Sequence, residues 1–532
     1  CEITMKLILN IICILILHQT LLGGTTGKLS GVLIDKETGE PLIGCNIIIE
    51  DTYFGTSSNE KGEYTLLNIP PKTYSIRFEM IGYKKLVNKG VIIISDKTTS
   101  LNGELVSSVI AGDEVIVVAE KKLIQFDVTQ SEAIISSEEL EGMPVTEVSE
   151  VLRLQGGVTV DSDGGIHMRG GRTSEVSYMV DGVPMSDLYD GGIGVQIEND
   201  NIQELQVISG TFNAEYGRAL TGVVNMVTKD GGNQFEGSFH TYAGDYHSVD
   251  KIYNDLNTFT VDDDYSFSAN LSGPILKDKI TFYSSGRVNQ SKGWLNGLQT
   301  FTIYGDTIFN DENDNRYLDG NEQQKDPYYK GLNWYSSWST QNKITFNVLK
   351  ATTFKINTIL NSRESQDYNF ALQLLENAQI TNFNQGRFLG LSISHTFSPT
   401  SFLQLNVSEN KFNYESYLFE DPLDTRYITP DSLFLARLEN RIPDHIIEQY
   451  GDQVQYYPAY SLYRAGVDNR RFERETKTNN YKLDFTSQVN KYNQIKFGLD
   501  FSSHTLMLDK YSILDSTLTD QVYTPFIPDK ES

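Results

Sequence analysis

The chain has 532 residues, 39% of them hydrophobic, and 44 Lys and Arg against 70 Asp and Glu leave a formal net charge of -26. A mean hydropathy of -0.33 excludes a bundle of membrane helices, each of which needs about 20 mostly apolar residues, so membrane residence is open only to a β-barrel. The acidic balance argues against a nucleic-acid partner, which requires a basic footprint, and three cysteines are too few for a disulfide framework or a Cys-rich zinc site.

The length suggests about three folded units. Met5 and Lys6 open an apolar run from Leu7 to Leu22 that exits through Gly23, Gly24 and Thr25. This reads as a secretory signal peptide over residues 1–26, cleaved between 23 and 27, because the run is too short and too interrupted for an anchor. Cys45 is then the one cysteine left after cleavage and is expected as a small core residue.

Over residues 27–110 short β-branched runs alternate with turn signals. Gly31-Val32-Leu33-Ile34, Asn46-Ile47-Ile48-Ile49, Tyr74-Ser75-Ile76-Arg77-Phe78 and Val91-Ile92-Ile93-Ile94 are separated by segments such as Glu37-Thr38-Gly39-Glu40-Pro41 and Asn59-Glu60-Lys61-Gly62. The regular spacing predicts a β-sandwich. The segment resembles the carboxypeptidase-regulatory-like domain, up to Ile81-Gly82-Tyr83. No His and Glu cluster of a zinc peptidase is present in the sequence, so the reading is of a noncatalytic appendage.

Residues 111–123 form a linker around a β-branched run, Asp113-Glu114-Val115-Ile116-Val117-Val118-Ala119-Glu120. Such a strand is either the last strand of the preceding sandwich or a free strand offered to another chain's sheet edge.

Residues 124–232 are dense in glycine turns, at Gly164-Gly165, Gly170-Gly171, Asp181-Gly182 and Gly191-Gly192. A helix is predicted over Glu138 to Leu154, with Val148, Val151 and Leu152 on one face, and strands over Ile202 to Val207 and Val223 to Val227. Motifs follow in order: Ile166-His167-Met168-Arg169-Gly170-Gly171-Arg172, then Tyr178-Met179-Val180-Asp181-Gly182-Val183-Pro184, then Ile202 to Gly210, then Asn213-Ala214-Glu215-Tyr216-Gly217 and Gly222 to Lys229. Together they resemble the plug domain of TonB-dependent outer-membrane receptors. The resemblance implies that Asp113 to Ala119 stands in the place of the TonB box, the strand that the energy-transducing partner captures. Arg169 and Arg172 have two readings: they hold the plug in a polar barrel through barrel carboxylates, the one preferred, or they are solvated turn residues beside two structural glycines, whereas Asp181-Gly182 reads as a turn without chemistry.

From residue 233 to 532 the texture is period-two alternation, as in Leu403, Leu405 and Val407 against Gln404, Asn406 and Ser408. A soluble sandwich alternates in the same way. Tight turns at 276–279, 349–352, 398–401 and 490–493, set against long polar excursions near 291–335, 367–386 and 418–472, point instead to an outer-membrane barrel. About nine strands of ~10 residues fit before residue 512. A plugged transporter barrel has 22, so the expectation is a C-terminally truncated chain. The predicted fold class is mainly β: an N-terminal β-sandwich, a mixed α/β plug domain, then an incomplete antiparallel transmembrane β-barrel.

In the first long excursion Asp311, Asn313, Asn315, the Tyr317 carbonyl, Asp319 and Glu322 have the spacing of a calcium loop, with Arg316 where glycine is usual. No other cofactor is expected. No nucleophile elbow or P-loop appears, so no enzyme activity is predicted. The resemblance implies outer-membrane location, TonB as partner, an unidentified extracellular ligand and energy-coupled import. A surface adhesin or secretion scaffold is the alternative, one that has no need of a plug.

Overall fold

The computed structural model describes residues 25–108, 114–118, 131–515 and 525–526, with breaks at 144, 146, 162–163, 211–216, 218, 251, 262, 304–308, 311–322, 325–326, 350, 428–461, 464–465 and 491–492. The signal-peptide run up to residue 24 lies outside the described residues.

The first unit is a sandwich of two sheets. One is built from β1 (Gly27–Asp35), β4 (Glu63–Ile69), β7 (Thr98–Ser100) and β8 (Gly103–Leu105). The other has the order β3-β2-β5-β6-β9, from β2 (Asn46–Ile49), β3 (Gly55–Ser57), β5 (Lys72–Glu79), β6 (Lys85–Ile93) and β9 (Glu114–Val118). Alternate residues of β1 and β2 point inward, so that Leu29, Leu33, Ile47, Ile49, Ile76 and Phe78 close one core. Cys45 is buried in it, and burial pushes its thiol up to about 11. Gly31 is needed for close approach, since a Cβ there would lie 1.9 Å from the Leu101 carbonyl oxygen.

The second unit is a mixed sheet in the order β10-β15-β16-β13-β14, from β10 (Ser131–Ser136), β13 (Val176–Val180), β14 (Val183–Pro184), β15 (Ile202–Ser209) and β16 (Gly222–Thr228). Only β13 and β16 run parallel; β11 (Val158–Val160) and β12 (Ile166–Met168) pair beside the sheet. The single predicted helix is two short ones, α1 (Ser137–Glu141) and α2 (Val148–Arg153). Gly142 caps the first, and Pro144 in the sequence disfavours helix through that point. Val148, Val151 and Leu152 are buried as their spacing predicts.

The third unit is one antiparallel sheet of nine strands: β17 (Glu236–Gly244), β18 (Asp264–Leu276), β19 (Ile280–Ser291), β24 (Tyr335–Leu349), β25 (Thr352–Ser365), β26 (Thr381–Ser398), β27 (Ser401–Tyr417), β28 (Arg470–Gln488) and β29 (Gln494–Ser512). The short strands β20 (Asn296–Gln299), β21 (Phe309–Asn310), β22 (Gln323–Gln324) and β23 (Tyr328–Gly331) lie in the first long excursion. Strand number and tight turns agree with the sequence reading, but strand length does not, because β28 and β29 each run 19 residues. The alternation continues past the apolar stretch into polar residues, so the ladder extends beyond what a membrane requires.

Burial settles what periodicity leaves open. On β28 Tyr481 is 48% exposed between Asn480 at 1% and Lys482 at 3%. Phe497, Leu499 and Phe501 are likewise exposed on β29, whereas Gln404, Asn406 and Ser408 are buried on β27. The polar face is covered and the apolar face is open, the reverse of a soluble sandwich. The sandwich sits at the tight-turn rim, where Lys28 Nζ donates to Gln488 (2.8 Å), Asn68 Nδ2 to Ser394 (2.8 Å), and Tyr53 meets Thr353 (3.2 Å).

Phe78→Ala is expected to cost about 3 to 5 kcal/mol of sandwich stability. Denaturant-dependent hydrogen exchange of β2 and β5 checks it, and a loss below about 1 kcal/mol would place Phe78 outside the core.

Candidate functional site

Among the described residues, three anchors built on a buried cation join the covered polar face to the plug. At the first, the chain reverses at Asp181-Gly182, both with left-handed φ (48° and 77°). This turn aims Asp181 at the end of β16, where its carboxylate accepts from the Thr228 N–H (2.9 Å) and hydroxyl (2.7 Å). The same carboxylate accepts from Asn357 Nδ2 (2.9 Å) and pairs with Lys343 (3.1 Å). Asp230, just beyond β16, pairs with Lys343 (3.2 Å) and Lys355 (2.5 Å). Lys343 also donates to the Thr228 carbonyl (3.0 Å), and Lys482 donates to the Gly182 carbonyl (3.1 Å). Burial opposes ionisation of Asp230, but the two ammonium groups outweigh it and hold the carboxyl below the usual carboxylate range.

The second anchor is Glu198, which pairs with Arg287 of β19 (2.8 Å) and accepts from the Ser339 hydroxyl (2.8 Å), all three buried. The third joins Asp187 and Asp190, in the reversal after β14, to Arg474 of β28 at 2.7 and 3.3 Å. The Arg474 guanidinium lies 4.5 Å from the Tyr189 ring centroid and 5.1 Å from that of Phe412. Burial raises Glu198 and Asp187 above the usual carboxylate range in spite of these partners.

At these anchors the plug supplies carboxylates and the sheet supplies cations, whereas the sequence reading sets plug arginines against barrel carboxylates. Among the described residues no ion pair joins Arg169 or Arg172 to a sheet carboxylate. Arg169 occupies a left-handed turn with its guanidinium beside Gly210, and the Arg172 N–H is used by Glu175 (3.1 Å). Gly170 has φ 79°, and a Cβ on Gly171 would lie 2.2 Å from Thr221. These glycines shape a turn that packs on the plug itself. Gly217 lies in an exposed turn, whereas Glu215 and Tyr216 lie outside the described residues. So do all six calcium-loop positions, Asp311, Asn313, Asn315, Tyr317, Asp319 and Glu322; the β21/β22 pair flanks them.

In the box-like segment, Asp113 and Ala119 lie outside the described residues. Glu114–Val118 forms β9, paired parallel to β6 from Lys85↔Glu114 to Lys89↔Val118. Of the two readings offered by its composition, the strand occupies the sandwich edge, with Ile116 and Val117 exposed.

Sequence reasoning took Asp181 for a turn residue without chemistry and passed over Asp187, Glu198, Asp230, Lys343 and Arg474. The available signal was a cation in an inward row of a strand, such as Lys343 between Gln341 and Thr345.

A plug seated by ion pairs on the covered polar face of a long-stranded antiparallel sheet defines the plugged outer-membrane receptors as a class. Residues 125–224 match the TonB-dependent Receptor Plug Domain, and residues 29–117 match the CarboxypepD_reg-like domain, through most of β9. The chain thus carries a plug domain of the kind found in TonB-dependent receptors, behind a carboxypeptidase-regulatory-like domain. It is 25% identical over 281 residues to the TonB-dependent transporter Oar of Myxococcus xanthus, a match covering 48% of this chain and 26% of that protein. It is 27% identical over 222 residues to the TonB-dependent receptor SusC of Bacteroides thetaiotaomicron, covering 38% of this chain and 21% of that one. Among solved structures, the outer membrane transporter YddB from Escherichia coli is similar at a TM-score of 0.45 and 13% identity, covering 72% of this chain and 48% of that one. The matched region thus spans about a quarter of the length of the curated relatives.

Lys343→Met leaves the half-buried carboxylates of Asp181 and Asp230 without their shared cation, Asp230 keeping Lys355, and is expected to loosen the plug by about 1 to 3 kcal/mol. The urea concentration at which protease first cuts the plug in membranes checks this. An unchanged midpoint would mean that Lys343 does not anchor it.

Proposed function

We propose that this chain is the plug-bearing part of an energy-coupled importer: a ligand binds outside, TonB draws on the box-like strand Asp113 to Ala119, and the plug shifts to admit the ligand to the periplasm. The observation that carries the reading is the seating of the plug on polar and charged contacts to the sheet, at Lys343, Arg287 and Arg474. Contacts of this kind can be exchanged for water or for one another as the plug moves, whereas an apolar seal offers no such exchange. No covalent chemistry is required of any residue in this scheme. The relatives' names, transporter and receptor, support it. An adhesin or scaffold leaves the plug and its anchors without a purpose. Calcium binding at Asp311 to Glu322 remains part of the proposal through its ligand spacing alone.

Two outcomes follow. The protein is expected to fractionate with outer membranes, and recovery in the soluble periplasmic fraction would refute the barrel. Val117→Pro removes a backbone donor and fixes φ in β9, so the affinity for the purified periplasmic domain of TonB is expected to fall at least about tenfold. Equal binding by wild type and variant would move the partner strand elsewhere.

A further inference from the structure

One three-residue turn of the sandwich, between β6 and β7, contacts both other units. The Ser95 N–H donates to both carboxylate oxygens of Glu204 on β15, at 3.2 and 3.3 Å. Asp96, with φ 60°, pairs with Lys496 of β29. Lys97 pairs with Glu132 of β10 at 2.5 Å. Glu204 is 4% exposed and Ser95 fully buried. Behind them Gln206 Nε2 bridges Glu204 (2.7 Å) and the Ser95 carbonyl (3.2 Å), and Asn225 donates to Gln206 (3.0 Å).

We propose that the Ser95–Lys97 turn is a proton-responsive clamp of the sandwich on the plug, tight when the Glu204 carboxyl is neutral and loosened when it ionises. Among the described residues, the charged groups on the elements that meet here include Glu132 from β10, Asp96 and Lys97 from the turn, and Lys496 from β29. They form two ion pairs with one another, so Glu204 has no cationic partner of its own among them. Burial pushes its carboxyl up to about 7 against the pull of the Ser95 and Gln206 donors, with Glu132 adding to the rise. When the turn withdraws, water reaches the group and it returns toward the ordinary value of about 4.3. The clamped form therefore holds a proton that the open form releases. Clamping is strongest below the ordinary carboxylate range and is lost as pH rises through about 7. Across that window the clamping equilibrium falls by roughly two orders of magnitude. The Lys97–Glu132 pair supplies the part that does not change. Because the clamp grips β10, the plug's first strand after β9, it sets how readily a pull is transmitted; that consequence alone rests on the import reading.

The test needs neither cargo nor TonB. Hydrogen exchange of the full chain in outer-membrane vesicles is followed by mass spectrometry from about pH 5.5 to 8, each rate divided by its intrinsic chemical rate. In the wild type, opening of the peptide carrying Ser95 is expected to rise more than about tenfold across this range relative to β2. In Glu204→Gln, which stays neutral, the ratio is expected to stay flat. Gln206→Met removes a donor to the same carboxylate without touching its charge, and moves the midpoint to higher pH. A flat wild-type profile, a pH response retained in Glu204→Gln, or an unmoved midpoint in Gln206→Met each overturns the clamp. Should Glu204→Gln lose protection across β16, the Gln206→Met midpoint decides alone.

Discussion

The arrangement depends on one buried ammonium group. Lys343 projects from β24 onto the covered face at 3% exposure, and a cation so placed costs several kcal/mol unless it is paired. Its partners Asp181, Asp230 and the Thr228 carbonyl all belong to the plug unit or its exit. The sheet therefore lacks a stable inner face without the plug, and the plug lacks a counter-charge without the sheet. Pairing also fixes the plug's height along the strands, because the Asp181-Gly182 turn that meets Lys343 places the Gly182 carbonyl on Lys482, four strands away in the sheet.

Around this contact apolar packing is limited. Ile359 and Phe388 are the sheet residues that join the plug's apolar core, and the rest of that core is internal to the plug. Apolar burial of about 25 cal/mol per Å² would hold a plug by area alone, with nothing regained on leaving. Ionic and hydrogen-bonding groups are held by geometry, and they recover most of their energy in water. The division of labour is consistent: area stabilises each unit, and charge joins the units. The sandwich follows the same rule, meeting the rim and the plug through Lys28, Asn68, Asp96 and Lys97 while its own core is apolar.

This division explains what could be read from sequence. Alternation, tight turns and glycine spacing are local, so nine strands, the sandwich and the plug were legible from residues such as Leu403 to Ser408 and Asp181-Gly182. Which face was covered was not, since period two is the same in water and in lipid; burial of Asn480 beside exposed Tyr481 decides it. Ion-pair partners far apart in sequence, such as Asp187 and Arg474, leave no local trace. The reading preferred plug arginines for the anchors because their motif stood out, yet Arg169 turns in the left-handed region with its guanidinium beside Gly210, and the Arg172 backbone N–H binds Glu175. The split between α1 and α2 was written in Gly142 and Pro144, and the helical spacing of Val148 and Val151 overrode it. For Glu114–Val118 a sandwich edge strand and a free strand have the same composition, so only pairing to β6 separates them.

Stability within the plug is graded by topology. Strand β16 lies between two neighbours, and all seven of its residues are buried. Strand β10 is an edge with one ladder, Ser131↔Ser209 to Ser136↔Glu204. An edge strand can leave without breaking any ladder but its own, whereas β16 can leave only by breaking two. The anchors to the sheet cluster away from β10, at Asp181, Asp230, Asp187 and Glu198. Beyond its ladder β10 is held by Ile135, buried in the plug's apolar core, and by Glu132, whose partner Lys97 belongs to the sandwich. An edge strand of the plug is thus the one that follows the box-like segment in the chain among the described residues, and part of its hold comes from the neighbouring domain.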